Sequence, residues 1–184
     1  DAYVSPKSGL PYDNTKTDAN AHTSVTNVGF YLASVVGAVE LGLESRAGAL
    51  AKLRKTLSSA LKFETWKGFP INWNQISSLA RSPENFISTV DLGNFYAGVI
   101  VVRQTFPELQ EDCDKLLQVN WKYLYDPRKK LLYGGYDVGK GHHTEWYYDH
   151  LGADSRLADF LAIAMSKVPT ESWGALTRTL EERY

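Results

Sequence analysis

Apolar residues recur along this chain at spacings of three and four, the mark of helices that bury one face. Val28, Leu32, Val35, Val36 and Val39 make the first such series, and Gly42 stands where a C-terminal cap belongs. Leu50, Leu53, Leu57 and Leu61 predict a second helix over 45–64, opening after Ser45. A third carries Leu92, Phe95, Tyr96, Val99 and Val102 as far as Phe106-Pro107. The fourth holds Leu109, Cys113, Leu116, Leu117 and Trp121 and is expected to end near Asp126-Pro127. Leu157, Phe160, Leu161 and Ala164 mark a fifth over 152–166, and Trp173, Leu176 and Leu180 a sixth over 170–183.

Three stretches interrupt this periodicity. Residues 1–24, with Pro6, Gly9, Pro11, Asp13, Asn14 and many Thr, read as an extended, turn-rich lead-in. Trp66 to Pro83 is long, aromatic and irregular, a kind of connection that is more often functional than decorative. Leu131 to Val138 reads as a hairpin or extended loop. Long loop, helix, short turn, helix therefore occurs three times, with a period of about 60 residues. The fold class expected is all-α: antiparallel helical hairpins side by side, as in a solenoid or an α/α toroid, with all three long loops at one end.

Composition narrows the partners. The 184 residues suit one domain. Twenty basic against twenty-one acidic residues leave a net charge of -1, so no basic field exists to draw nucleic acid or anionic lipid. No apolar run reaches the roughly 18 residues of a membrane span, so none is expected. Five Trp and eleven Tyr fit rings stacking on sugar faces, and equally a large aromatic core. The single Cys113 excludes an internal disulfide and reads as a buried, inert thiol. The chain opens at Asp1 with neither Met nor an apolar leader, which reads as a processed or trimmed product.

Two short segments concentrate the chemistry. Ser88-Thr89-Val90-Asp91-Leu92-Gly93-Asn94 and Tyr147 to Arg156 each put an acid at the start of a helix, among aromatic rings and amides. Paired carboxylates of this kind suit glycosidic bond hydrolysis, one protonating the leaving oxygen and the other activating water or attacking the sugar. Asp91 also fits a capping box with Ser88, and Asp154 also fits a complement to the helix dipole or a partner of Arg156. Asn72-Trp73-Asn74 suits a sugar-stacking ring flanked by hydroxyl-reading amides, or a turn whose Trp covers the core. Asp137 and Asp149 read first as loop-turn residues. His142-His143 has no third ligand at a recognisable spacing, so no metal site is expected, and no other cofactor is implied.

At these same residues the chain resembles the glycoamylase-like domain family, which includes a domain of cyclic β-1,2-glucan synthases and the related endo-β-1,2-glucanases. Thr23 to Leu32 is similar to that family's Thr-Ser-Pro-Thr-Asn-Ile-Gly opening, and Ile71 to Asn74 to its Tyr-Asn-Trp-Tyr segment. Ser88 to Asn94 is similar to its Ser-Thr/Ser-Val-Asp-x-Gly-Asn segment, and Tyr147 to Arg156 to its Tyr-Tyr-Asp-x-Leu-x-Ser-Glu-x-Arg segment. The resemblance implies one domain over 1–184 with an (α/α)6-toroid fold, acting as a glycoside hydrolase or transglycosidase on a bacterial envelope glucan, β-1,2-linked in the named relatives. It implies an oligo- or polysaccharide partner and a periplasmic or secreted setting. Asp154 is then the general acid and Asp91 the base or water-orienting residue. Trp73, Tyr136 and Tyr148 stack on sugar rings, while Asn72, Asn94, Asp149 and Arg156 bind the substrate. Three departures stand out. Asp154 replaces the family's Glu, retracting the acid by about an ångström, a misplacement that can cost on the order of 10²-fold in rate. Gln75 stands where an acid follows the Asn-Trp segment. Six helices make half of a twelve-helix toroid, from which self-association or a missing second half is expected. The first and third departures also fit a non-catalytic glycan-binding or scaffolding domain.

Overall fold

The computed structural model describes residues 2–15, 21–83, 86–165 and 167–178. Its helices are α1 (Val25–Glu40), α2 (Arg46–Ala60), α3 (Thr89–Thr105), α4 (Gln110–Leu116), α5 (Ser155–Ala164) and α6 (Glu171–Ala175). α3 packs against both α1 and α5, while α2 backs α1, α4 backs α3 and touches α2, and α6 backs α5. The three hairpins thus stand side by side, α1, α3 and α5 forming one layer. Leu32, Leu53, Leu57, Phe95, Tyr96, Phe106 and Trp121 fill the space between the layers, each removed from solvent.

Glycine sets how close the first layer packs. A Cβ on Gly29 of α1 would lie 2.2 Å from the Asn94 carbonyl oxygen, and one on Gly98 of α3 would lie 2.2 Å from the Gly29 carbonyl oxygen. On the other side of α3, a Cβ on Gly93 would meet Ala158 of α5 at 2.9 Å. Gly29 and Gly93 hold the same place in their helices, the fifth residue, and each admits the next helix of the layer. Thr26 meets Asp91 and Asn94, and Gly29 further along α1 meets Asn94 and Gly98, so the contacts advance in the same sense and α1 and α3 are parallel. Their N-terminal ends lie together.

An all-α class describes the packing layers but not the loops. Among the described residues these carry nine short strands: β1 (His22–Ser24), β2 (Thr65–Trp66), β3 (Phe69–Pro70), β4 (Trp73–Gln75), β5 (Phe86–Ser88), β6 (Tyr125–Asp126), β7 (Leu131–Leu132), β8 (Gly135–Asp137) and β9 (His142–His143). β1 pairs with β4, β2 with β3 and β6 with β7, and β5, β8 and β9 form a three-stranded sheet, all antiparallel. Strands of two or three residues are too short to display a period of two, so pattern reading misses them.

Helix ends show where local chemistry overrides the apolar period. Gly42 has φ +69° and the Leu43 N–H reaches the Ala38 carbonyl at 2.8 Å, closing α1 as expected. The Ser45 hydroxyl accepts from Gly48 N–H at 3.0 Å and opens α2. α2 stops at Ala60, short of 64, because Lys62 and Phe63 fold back on the carbonyls of Ser59 and Ala60. α4 ends at Leu116 and not near Asp126: the Asn120 side chain accepts from Lys122 N–H at 3.1 Å and starts a separate 3₁₀ turn over Trp121–Leu124. Trp121 stays buried there, which is why it kept the helical spacing. The sixth helix covers Glu171–Ala175, and the end of its expected span lies outside the described residues.

Candidate active site

Two strand-to-helix junctions, β1 into α1 and β5 into α3, build the centre of the site, and Asn72 ties them together. Its N–H donates to the Phe86 carbonyl at 2.9 Å and its carbonyl accepts from Val25 N–H at 3.0 Å. Ser24 of β1 faces Trp73 of β4, and Ile87 of β5 faces Tyr136 of β8. The first turns of α1 and α3 are therefore fixed from both sides.

Asp91, in the first turn of α3, is held by side chains of other elements. The Thr26 hydroxyl donates to its Oδ1 at 2.5 Å and the Asn72 amide to its Oδ2 at 3.3 Å, while Asn94 Nδ2 donates to Thr26 Oγ1 at 3.3 Å. The capping box expected of Ser88 and Asp91 does not form: Ser88 is at the N-cap position without a side-chain cap bond. Instead the first turn of α3 is anchored by Thr89, whose hydroxyl donates to the Tyr133 carbonyl at 2.6 Å. Asn72 is buried, and its Oδ1 is an acceptor without a partner among the described residues.

Asp154 precedes α5, exposed, and its side chain caps no backbone N–H. Tyr148 relates the two acids. Burial, then the charge of Asp91, then that of Asp154 raise its hydroxyl above the ordinary tyrosine range, so that it stays a protonated donor at neutral pH. The N-terminal turns of α3 and α5 meet at Gly93 and Ala158, which brings these two helix starts to one end of the layer. Arg156 is exposed in the first turn of α5. Asp149 contributes through its backbone, its carbonyl accepting from Thr177 N–H at 2.5 Å, which binds the end of α6 to the loop before α5.

The aromatic residues divide. Trp73 lines a cleft of about 700 Å³ with Asp13, Asn14, His22, Gln75, Ser82 and Pro83. Gln75 occupies its rim with Oε1 accepting from the Ser78 hydroxyl at 2.8 Å. Asn74 is buried and donates to the Ile71 carbonyl. Tyr136 stacks on Trp66, ring centres 3.9 Å apart, so one face of its ring is already taken. His143 bonds the Tyr123 carbonyl through Nε2 at 2.7 Å and stacks on Tyr133, so the His-His pair serves the loop packing.

Three contributors escaped the sequence reading. Thr26 lies within the Thr23–Leu32 run, but the parallel between Ser24-Val25-Thr26-Asn27-Val28-Gly29 and Ser88-Thr89-Val90-Asp91-Leu92-Gly93 matches Asn27 to Asp91, so the part of Thr26 emerges only once α1 lies beside α3. Tyr147 donates to the buried Asp126 at 2.7 Å and holds the 147–149 segment in place. That bond, backed by the Arg128 and Lys129 N–H groups, draws the Asp126 carboxyl down to about 2, while burial and the same partner push Tyr147 up to about 12. Trp146, beside it, is exposed.

This is a helical-hairpin scaffold with two acids, amides and open aromatic rings at the N-terminal ends of its first layer. No protein-family profile matches the chain. A curated relative, the cyclic β-(1,2)-glucan synthase NdvB of Rhizobium meliloti, is 34% identical over 90 residues, which are 48% of this chain and 3% of NdvB. The fold is shared with the endo-β-1,2-glucanase of Chitinophaga pinensis, solved with sophorotriose and glucose, at TM-score 0.76 and 20% identity over 92% of this chain and 45% of that one. It is shared also with the β-1,2-glucanase of Parabacteroides distasonis, at TM-score 0.78 and 18% identity over 95% and 27%. The resemblance read from the four motifs is thereby met in sequence and in fold, and the chain spans less than half the length of each of these relatives.

Proposed function

We propose that this chain belongs to a glycoside hydrolase or transglycosidase that acts on a β-1,2-linked glucan, with Asp91 as the base and Asp154 as the general acid. The observation that carries it is the geometry at one end of the layer: Asp91 in the first turn of α3 is oriented by Thr26 and Asn72, and the start of α5, which Asp154 precedes, packs on that same helix at Gly93 and Ala158. Asp91 only accepts from its neighbours, as a group that must take a proton from water requires. Asp154 keeps its carboxyl free for the glycosidic oxygen. Tyr148 donates to a sugar oxygen between them, and the unpartnered Asn72 Oδ1 accepts from a sugar hydroxyl. Asn94 and Arg156 bind further hydroxyls, and Trp73 offers its ring at the neighbouring cleft. Such work belongs in the bacterial envelope, periplasmic or secreted.

Release of reducing ends from β-1,2-glucan tests this reading. Asp91→Asn and Asp154→Asn are each expected to lower turnover by roughly 10²–10⁴-fold, the usual contribution of a general acid or base. A folded wild-type protein that turns over neither β-1,2-glucan nor any other glucan of a panel would overturn it. Gln75 at the rim of the Trp73 cleft favours a second reading, a glycan-binding domain without turnover; glucan binding in that same inactive protein would select it.

The six helices read as half of an (α/α)6 toroid. α1, α3 and α5 present Phe30, Val101 and Phe160 to solvent, Phe30 at 57% and Phe160 at 56% exposure. We propose that a second half covers those faces, supplied by a second copy of this chain or by the other half of a toroid. Sedimentation should find a dimer that Phe30→Ser and Phe160→Ser together dissociate, and a strictly monomeric wild type would refute self-association.

A further inference from the structure

Trp146 has no part in the assignments above, yet its setting is that of a binding platform. Its indole lies against the backbone of Gly134, so closely that a Cβ there would come within 1.9 Å of Cζ3. Only glycine fits beneath the ring. The backbone is pinned as well: the Trp146 carbonyl accepts from Gly134 N–H at 3.0 Å and from the Thr144 hydroxyl at 2.8 Å. Tyr148 stands against it at right angles, ring centres 5.0 Å apart. A ring so braced is expected to be buried, and this one is 48% exposed.

Alternation along 146–148 explains where it faces. Tyr133 and Tyr147 form a bridge, and Tyr147 points inward to Asp126. Successive side chains of extended backbone point to opposite sides, so Trp146 and Tyr148 share the other side, and the carbonyl of Gly134 beneath the indole accepts from Thr89 N–H at 3.2 Å, at the start of the helix that carries Asp91. A large, flat, electron-rich face held rigid beside the acids suits the C–H face of a pyranose, whose ordering on it costs little side-chain entropy.

We propose that Trp146 is the stacking platform for a glucosyl unit next to the one that the acids engage. This rests on the glucan reading above and adds to it the residue that positions the chain of sugars. The test titrates β-1,2-linked gluco-oligosaccharides into wild type, Trp146→Ala and Trp146→Phe by calorimetry, with tryptophan fluorescence and a melting curve for each. Trp146→Ala is expected to remain folded, its melting temperature lowered by the packing lost on Gly134 and Tyr148, and to bind about tenfold more weakly, the size of one aromatic contact. Trp146→Phe should restore most of the affinity while losing the fluorescence change. If the wild type turns over glucan, Trp146→Ala should raise KM and leave kcat. Equal affinity of Trp146→Ala and wild type overturns the platform and leaves the glucan reading standing. A wild type that binds no such oligosaccharide overturns the glucan reading, and the platform with it.

Discussion

Replacing Gly29 by Ala tests the close packing of α1 on α3, and with it the geometry of the Asp91 site. The new Cβ would lie 2.2 Å from the Asn94 carbonyl oxygen and 2.6 Å from both its carbonyl carbon and Phe95 Cα. These are backbone atoms of a helix, so no side chain can swing aside. Restoring ordinary contact requires the helices to part by more than an ångström, in a core packed as densely as an organic crystal. Overpacking of this kind costs typically about 1–3 kcal/mol and occasionally more, against which Ala returns roughly 1 kcal/mol of helix propensity. With rigid backbone on both sides the upper part of that range applies, so a net loss of about 2 kcal/mol is expected. At about 2–4 °C per kcal/mol for a chain of this size, Tm falls by roughly 4–8 °C. Gly37 is the control on the same helix: a Cβ there meets no atom within 4 Å, so Gly37→Ala should gain up to about 1 kcal/mol and raise Tm. Thermal and urea unfolding of the three proteins measure both. A Gly29→Ala protein as stable as wild type, or two variants shifted in the same direction, would refute close helix contact as the reason for glycine here.

Thr26→Val removes the hydroxyl that donates to Asp91; a hydrogen bond to a charged group is worth about 1.5–3 kcal/mol, so kcat on the substrate that wild type accepts should drop roughly 10- to 100-fold. Asp126 titrates at about 2 in the folded chain because Tyr147 donates to it, below the ordinary value near 3.8. Its stabilising contribution is therefore complete above pH 3.8 and is lost as pH falls towards 2. Tyr147→Phe should consequently lower Tm at pH 6 by more than at pH 2.5, and equal losses at both would exclude the linkage. Burial, aided by Asp112 and Asp114, pushes the Cys113 thiol up to about 11. An aromatic disulfide reagent at pH 8 should accordingly label it at the rate of unfolding, and rapid stoichiometric labelling of native protein would contradict that burial.

What could be read from the residues alone follows the range of the interactions. α1 and α2 were legible because Ser45 and Gly42 mark their ends within a residue or two of the apolar series, and those signals are local. α4 was not, since the break after Leu116 comes from one side chain, Asn120, while Trp121 keeps the apolar period. The strands escaped because a pair such as Phe86–Ser88 with Gly135–Asp137 exists only once distant segments meet. The site divides in the same way. Asp91 and Asn72 could be picked out as chemistry near a helix start, but the bond between them and the part of Thr26 depend on α1 lying parallel to α3. Tyr136 reads as an open ring in the sequence and loses one face to Trp66, 70 residues away in the chain. Trp146 shows the converse, an unmarked residue given an open face by a glycine at 134.

The bond series at Asp91 also has a direction. An amide nitrogen can only donate, so Thr26 Oγ1 accepts from Asn94 and its single proton has one place to point, towards Asp91. Asn72 donates from the other side. The series therefore runs one way across two helices, from α3 through α1 and back to α3, and reversing it requires a change of residue and not merely a rotation. Asn94→Asp would do so: a carboxylate at 94 would compete for the Thr26 proton, leave Asp91 with Asn72 as its one polar support, and turn a one-way proton order into a contested one without altering the shape of the site.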